Sequence, residues 1–182
     1  MKLVLNECYG GFGLSYEAQY LYLQAKGQDA YFYADVSSYD DYKKKHKYKL
    51  VTLNDIQKLQ RALYIYCTPT FQGEVIDEFP KDVINARDLD RTDPALVAVV
   101  EVMGSKAASG RFSSLQIEEI PDGTLYKIDE YDGLESLITQ EDDDWLLAKE
   151  NVCSEEISTN IKGLWSLIKP TTELDPDLAF KI

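Results

Sequence analysis

The segment best suited to bind a ligand is a glycine-rich turn near the start of the chain. It follows an apolar run at residues 3–5 and leads to Ser15, a residue type that caps helices. A strand that passes through glycines into a helix leaves backbone N–H groups unpaired beside the positive end of the helix dipole, which favours a small anion. The candidate ligand-binding residues of this segment are Tyr9, Gly10, Gly11, Phe12, Gly13 and Ser15.

The turn differs from the established nucleotide-binding motifs. Gly11 and Gly13 match the first two glycines of G-x-G-x-x-G, but Tyr16 stands at the third position, and no Gly-Lys-Ser/Thr follows to make a P-loop. The rings of Tyr9 and Phe12 are able to stack on a flat ligand. The alternative interpretation is a tight turn in which the glycines permit positive φ angles and the rings fill the core.

Two further candidates lie just before an apolar stretch in the middle of the chain. Arg91 is able to pair with an anionic ligand, or with the local acids Asp88 and Asp90. Asp93 is followed by Pro94, which is typical of a helix start, with the aspartate as cap and the proline in the first turn. The helical start is the simpler interpretation of Asp93, and ligand binding is the functional one.

Tyr131 and Asp132 complete the candidate site, and with Gly133 they are typical of a turn that ends a strand. They lie within residues 128–144, a stretch with eight acidic residues and no basic one. The acids at 141–144 attract cations, but they lack the spaced D-x-D-x-D-G pattern of calcium loops, so no metal site is predicted.

No catalytic set is apparent. His46 is the only histidine and lies within a lysine-rich run at residues 43–49, which excludes a multi-histidine metal site and gives weak support to Ser–His or Cys–His catalysis. The three cysteines, Cys8, Cys67 and Cys153, form no C-x-x-C pair and are typical of free thiols in a reducing cytoplasm. We therefore predict no catalytic residue and no cofactor. The acids are too numerous for the sequence to exclude a carboxylate pair.

The composition limits the partners. A net charge of −13 argues against general nucleic-acid binding, which needs clustered lysine and arginine. The acidity has two interpretations: solubility through self-repulsion, or a negative surface that meets a basic protein. No window approaches 18 apolar residues, so we expect no membrane segment.

The pattern of elements predicts an α+β fold, with a mixed β-sheet, flanking helices and a βαβ-like N-terminus made from the first strand, the helix after Ser15 and a strand at residues 30–34. An apolar helix should start at Pro94, and strands at 114–120 and 125–131 should form a hairpin. Residues 68–90 read as a long loop, and 145–168 as helical. We expect one domain over residues 1–169, of which 136–169 form a helical extension, and a loosely held tail at 170–182.

Three segments resemble a family of small bacteriophage and prophage proteins. They read NECYGGFGLS at residues 6–15, RTDPALV at 91–97 with Val100 and Glu101 beyond it, and EEIPD at 118–122 followed by EYDGLE at 130–135. The segments occur in the order of the family and cover about residues 1–135, whereas residues 136–182 depart from it. The resemblance implies a phage-encoded accessory protein in the host cytoplasm, and it brings no activity with it.

Three hypotheses of function follow. The leading one is a non-enzymatic phage protein that binds a small anionic, nucleotide-like ligand at the glycine turn and sequesters a host signal. The second is an acidic protein that blocks a basic surface of a host protein. The third is an enzyme that acts on nucleotides through carboxylates and Mg²⁺. The sequence leaves the oligomeric state open.

Overall fold

The computed structural model describes residues 1–37, 46–58, 64–139, 146–147 and 155–168. The helices are α1 (Tyr16–Ala25), α2 (Leu53–Lys58), α3 (Pro94–Met103), α4 (Ser105–Ala108) and α5 (Glu155–Ile168), with a 3₁₀ turn at Ala86–Asp88. The strands are β1 (Lys2–Asn6), β2 (Tyr31–Asp35), β3 (Tyr48–Val51), β4 (Ile65–Thr68), β5 (Val75–Ile76), β6 (Leu115–Glu119), β7 (Leu125–Tyr131), β8 (Leu134–Ile138) and β9 (Leu146–Leu147). The predicted α+β class is confirmed.

The strands form three small sheets, ordered β1-β6, β4-β2-β3-β5 and β8-β7-β9. Every strand pairing among the described residues is antiparallel, so the mixed sheet that we expected is not found there. The order strand, helix, strand at the N-terminus is as predicted, but β1 and β2 belong to different sheets. The reason is that the second edge of β1 is already occupied: the Val4 N–H donates to the Arg91 carbonyl, and the Asn6 N–H donates to the Glu135 carboxylate.

The main core lies between α1, α3 and α5. As predicted, α3 begins at Pro94 with Asp93 as its cap, and the Ala95 N–H donates to the Asp93 carboxylate over 2.9 Å. This helix is apolar on nearly every side and is buried accordingly. Ile161 of α5 is fully buried against the same cluster.

The sheet pairings differ from the sequence prediction around residue 120. We predicted that residues 114–120 and 125–131 form a hairpin, which is wrong: β6 pairs with β1, and β7 pairs with β8. Asp132 and Gly133 both have positive φ, 51° and 85°, and they are the two central residues of the β7–β8 turn. Such a turn matches the right-handed twist of a hairpin, so the Asp-Gly pair selects β8 as the partner of β7.

Several predictions concern residues outside the described ranges, namely the lysines at 43–45, the acids at 141–144, Cys153 and the tail at 170–182. The helix predicted for 145–168 begins at Glu155 in the described part, and Leu146–Leu147 is a strand that pairs with β7 instead. Cys8 and Cys67 are free thiols. None of the helices in the described ranges combines the length and apolar character needed to span a membrane.

The cap of α3 makes stability depend on pH. The Asp93 carboxylate accepts hydrogen bonds from Lys26 Nζ over 2.8 Å and from the Tyr22 hydroxyl over 2.9 Å. Burial by itself raises the pKa of Asp93, but the bonds from Lys26, Ala95 and Tyr22 outweigh burial and hold the pKa below its usual value. A carboxyl whose pKa is lowered on folding stabilises the protein above its unfolded pKa of about 3.9, and that contribution is lost as pH falls through the folded pKa.

We therefore predict that Asp93→Asn lowers the free energy of unfolding by about 1–2 kcal/mol at pH 7, because the Lys26 pair is lost while asparagine still caps the helix. The difference from the wild type should shrink below pH 4. Urea unfolding of both proteins at several pH values measures it. A difference that stays constant from pH 7 to pH 3 would show that the charge of Asp93 contributes nothing.

Candidate ligand-binding cleft

Three segments that lie far apart in the chain meet at one cleft of about 310 Å³. They are the glycine turn after β1, the stretch that leads into α3, and the β7–β8 hairpin turn. These are also the three segments that carry the resemblance. The cleft is lined by Tyr9, Gly10, Gly11, Phe12, Arg87, Arg91, Glu130, Asp132, Gly133 and Glu135.

Asn6 at the end of β1 holds the glycine turn against the hairpin turn. It is fully buried, and its amide nitrogen donates to the carbonyls of Cys8 and Gly133 over 2.7 and 2.6 Å. Its side-chain oxygen accepts the Ser114 N–H over 2.8 Å. One asparagine therefore binds three separate chain segments, and a buried amide with all its partners is a strong positional constraint.

The floor of the cleft is a buried ion pair. Arg91 donates from Nε and Nη2 to Glu135, with the shorter bond 2.7 Å long, and the two side chains are 11 % and 6 % exposed. The Arg91 guanidinium also lies 3.7 Å from the centre of the Phe12 ring and donates to the carbonyls of Leu89 and Arg87. Arg91 pairs with neither of the local acids that the sequence suggested. The charge of Arg91 is therefore neutralised by Glu135, and its guanidinium covers one face of the Phe12 ring.

Close backbone packing explains the glycines of the cleft. A Cβ on Gly10 would lie 1.6 Å from the Phe112 carbonyl oxygen, and a Cβ on Gly133 would lie 2.3 Å from the Gly11 nitrogen. Gly11 itself has a φ of +84°, which glycine adopts at little cost. The alternative interpretation from the sequence, glycines that allow a tight turn, therefore describes the geometry well. It does not account for the groups that remain unpaired.

Three hydrogen-bonding groups of the lining residues have no partner in the described part of the chain. The backbone N–H groups of Gly11 and Phe12 meet no protein acceptor within the described part of the chain, although both residues are buried. The guanidinium of Arg87 lies against Gly11, with Nη2 2.7 Å from where a Cβ on Gly11 would stand, and it forms no ion pair with a described residue. Buried backbone donors are nearly always paired. Two N–H groups without an acceptor, next to the guanidinium of Arg87, therefore indicate a place for a water molecule or for an acceptor of a ligand.

The rim carries an aromatic ring and carboxylates. Tyr9 is 68 % exposed, so its ring is accessible for stacking. The Glu130 carboxylate accepts the Gly133 N–H over 2.6 Å, and Asp132, at the tip of the hairpin, has no such partner within the described ranges. In those ranges, no three His, Cys, Asp or Glu side chains gather closely enough to hold a metal ion.

Four of the candidate residues lie away from this cleft. The Gly13 carbonyl accepts bonds from Ser113 and Gly110, and the Ser15 hydroxyl caps α1 through Ala18 N–H while donating to the Ala107 carbonyl. The start of α1 is therefore used in packing against α4. The remaining two are Asp93, which caps α3, and Tyr131, which is 75 % exposed on β7 outside the lining.

Four lining residues were not among the candidates predicted from the sequence: Arg87, Glu130, Gly133 and Glu135. The last three fall inside the EYDGLE segment at residues 130–135, which the sequence had singled out without naming them as site residues. Arg87 carries no motif and is brought to the cleft by the 3₁₀ turn. Comparison of the chain with protein-family models, with curated proteins and with solved structures gave no match.

Proposed function

We propose that this protein is a phage accessory protein that binds a small nucleotide-like ligand in the cleft without transforming it. The observation that carries the proposal is the convergence of the three segments on a cleft whose floor is fixed by Asn6 and the Arg91–Glu135 pair. Buried polar networks are costly unless fully satisfied, and here they hold the hairpin turn against the glycine turn, in which the Gly11 and Phe12 N–H groups are unpaired.

The donors suit a phosphate. The Arg87 guanidinium lies against Gly11 in the cleft lining, next to the unpaired N–H groups of Gly11 and Phe12, and guanidinium groups and backbone amides both recognise phosphate oxygens. Because Arg91 is neutralised by Glu135, Arg87 is the lining cation left to attract an anion.

The carboxylates limit the charge of the ligand. Glu130 and Asp132 line the same cleft as Arg87, so a polyphosphate would meet repulsion that one arginine does not offset. The same carboxylates accept hydrogen bonds from ribose hydroxyls or base amino groups, and the exposed Tyr9 ring is able to stack on a base. The ligand class that fits is a nucleotide of low charge, either a nucleoside monophosphate or a cyclic nucleotide. Sequestering such a molecule in the host is the role that we propose.

Calorimetric titration tests the proposal, with nucleoside monophosphates, cyclic mononucleotides, cyclic dinucleotides and ATP as probes. We expect at least one low-charge nucleotide to bind, and ATP to bind more weakly. Arg87→Ala should weaken that binding about 10- to 100-fold, since a hydrogen bond to a charged group contributes roughly 1.5–3 kcal/mol.

The matched control is Arg111→Ala, because Arg111 is an exposed arginine outside the lining and its removal changes the net charge equally. Its binding should equal that of the wild type. Absence of heat with every probe, or equal loss in the two variants, would refute the proposal. Chromatography of the same mixtures with Mg²⁺ should return unchanged nucleotide, and a new product would instead establish an enzyme.

A further inference from the structure

The loop between β4 and the 3₁₀ turn lies outside the cleft and is held in a defined shape. The Tyr33 hydroxyl accepts the Gln72 N–H over 2.8 Å and donates to the Gly73 carbonyl over 3.1 Å. The Gln72 side chain makes two further bonds, each 2.9 Å long, to the backbone of Lys81. These four bonds close the loop on itself and fix it to β2, so the side chains that it presents are pre-organised.

Within this loop, three large apolar side chains remain half exposed. Phe71, Val75 and Phe79 are 52 %, 55 % and 54 % exposed. Phe79 packs edge-on against Tyr66 with ring centres 4.8 Å apart, and Phe71 lies against Tyr31 at 5.5 Å. Rings that are held in place yet still half exposed are typical of a surface that another protein covers.

Acidic side chains lie next to these apolar groups along the chain. Glu74, Asp77, Glu78 and Asp82 are all exposed, and none of them forms an ion pair with a described residue. Two exposed lysines offset them in part: Lys81 within the loop, and Lys49 of β3, which lies opposite Val75. The 71–82 surface, as we call it, therefore combines an apolar centre with a net negative rim.

We infer that the 71–82 surface binds a basic protein segment, one in which lysine or arginine side chains flank apolar ones. Charge complementarity selects this occupant, because the unpaired acids attract cations and repel the phosphates of nucleic acid. A second copy of this chain fits poorly, since the contact would place two acidic rims face to face and the whole chain already carries a net charge of −13. This inference is independent of the proposed nucleotide site.

The test is an NMR titration of the full chain with a short synthetic peptide in which lysine or arginine alternates with leucine or valine. Amide shifts should concentrate in residues 71–82 and in β3, which pairs with the β5 strand of this surface. A second peptide, with glutamate in place of every basic residue, should cause no shifts. Asp77→Lys combined with Glu78→Lys should weaken the basic peptide by about tenfold or more, and Val75→Ser should weaken it severalfold through the apolar contact.

The matched control combines Glu119→Lys with Glu156→Lys, two exposed glutamates outside the 71–82 surface, so that the net charge changes equally. This protein should bind the basic peptide as the wild type does, apart from a small general charge effect. Equal weakening by the two double variants would overturn the inference, because it would show attraction to the overall charge alone. Shifts spread over the whole protein, or no shifts, would overturn it as well.

Discussion

Replacing Glu135 with leucine is expected to lower the free energy of unfolding by about 3–5 kcal/mol. The change would leave the Arg91 guanidinium, 11 % exposed, without the carboxylate that accepts its Nε and Nη2 bonds. The backbone N–H of Asn6 would lose its acceptor as well. An unpaired buried charge costs far more than the net contribution of the pair, so this loss should exceed that of any exposed acid. Urea unfolding at pH 7 measures it.

Two controls separate the charge effect from the loss of a side chain. Glu119→Leu removes an exposed glutamate and should change stability by less than about 0.5 kcal/mol. Combining Arg91→Met with Glu135→Leu removes both charges, and a buried pair replaced by apolar groups is often nearly neutral. The double variant should therefore be more stable than Glu135→Leu alone. If the double variant is less stable than the single one, the buried charge is not the cause of the loss.

Local signals in the sequence predicted local structure well. Asp93-Pro94 marked the start of α3, and Ser15 marked the cap of α1, because a capping bond joins residues only two or three positions apart. Asp132-Gly133 was identified as a turn, and its two positive φ angles explain why these residue types stand there. Such signals depend on neighbours along the chain, which the sequence shows directly.

Strand pairing was not predictable in the same way. The partner of β1 is β6, with Lys2 opposite Glu119, and nothing in either segment identifies the other. The same limitation applies to Arg91, for which the sequence offered Asp88 and Asp90 because they were near. An arginine largely withdrawn from water needs a partner that is also buried, and Glu135 of β8 meets that need from a distant part of the chain.

The cleft shows both the success and the limit of sequence reasoning. Six of the ten candidate residues line it: Tyr9, Gly10, Gly11, Phe12, Arg91 and Asp132. The four residues of the glycine turn were predicted in part from the dipole of α1, yet Ser15 uses the start of that helix for packing against α4. The features that actually frame the cleft are the Asn6 bridge to Gly133 and the guanidinium of Arg87, which depend on contacts across the fold.

The contact of Gly133 with Gly11 holds the two turns of the cleft together, and Gly133→Ala should separate them. Its Cβ would lie 2.3 Å from the Gly11 nitrogen and 2.6 Å from the Gly11 Cα, and the φ of Gly133 is +85°. The left-handed conformation costs an alanine roughly 1–2 kcal/mol, and a backbone clash in a packed region costs roughly 1–3 kcal/mol more. We expect a total loss of stability of about 2–5 kcal/mol and, because Gly11 must move, the loss of nucleotide binding.

Gly123→Ala is the matched control for this variant. Gly123 has the same φ of +85°, but a Cβ there would meet no atom within 4 Å. It should therefore cost only the conformational part, about 1–2 kcal/mol, and leave nucleotide binding unchanged. Urea unfolding and calorimetric titration of both variants separate the two contributions. Equal effects in the two variants would mean that backbone strain alone matters at Gly133, and that the close approach of the two turns does not shape the cleft.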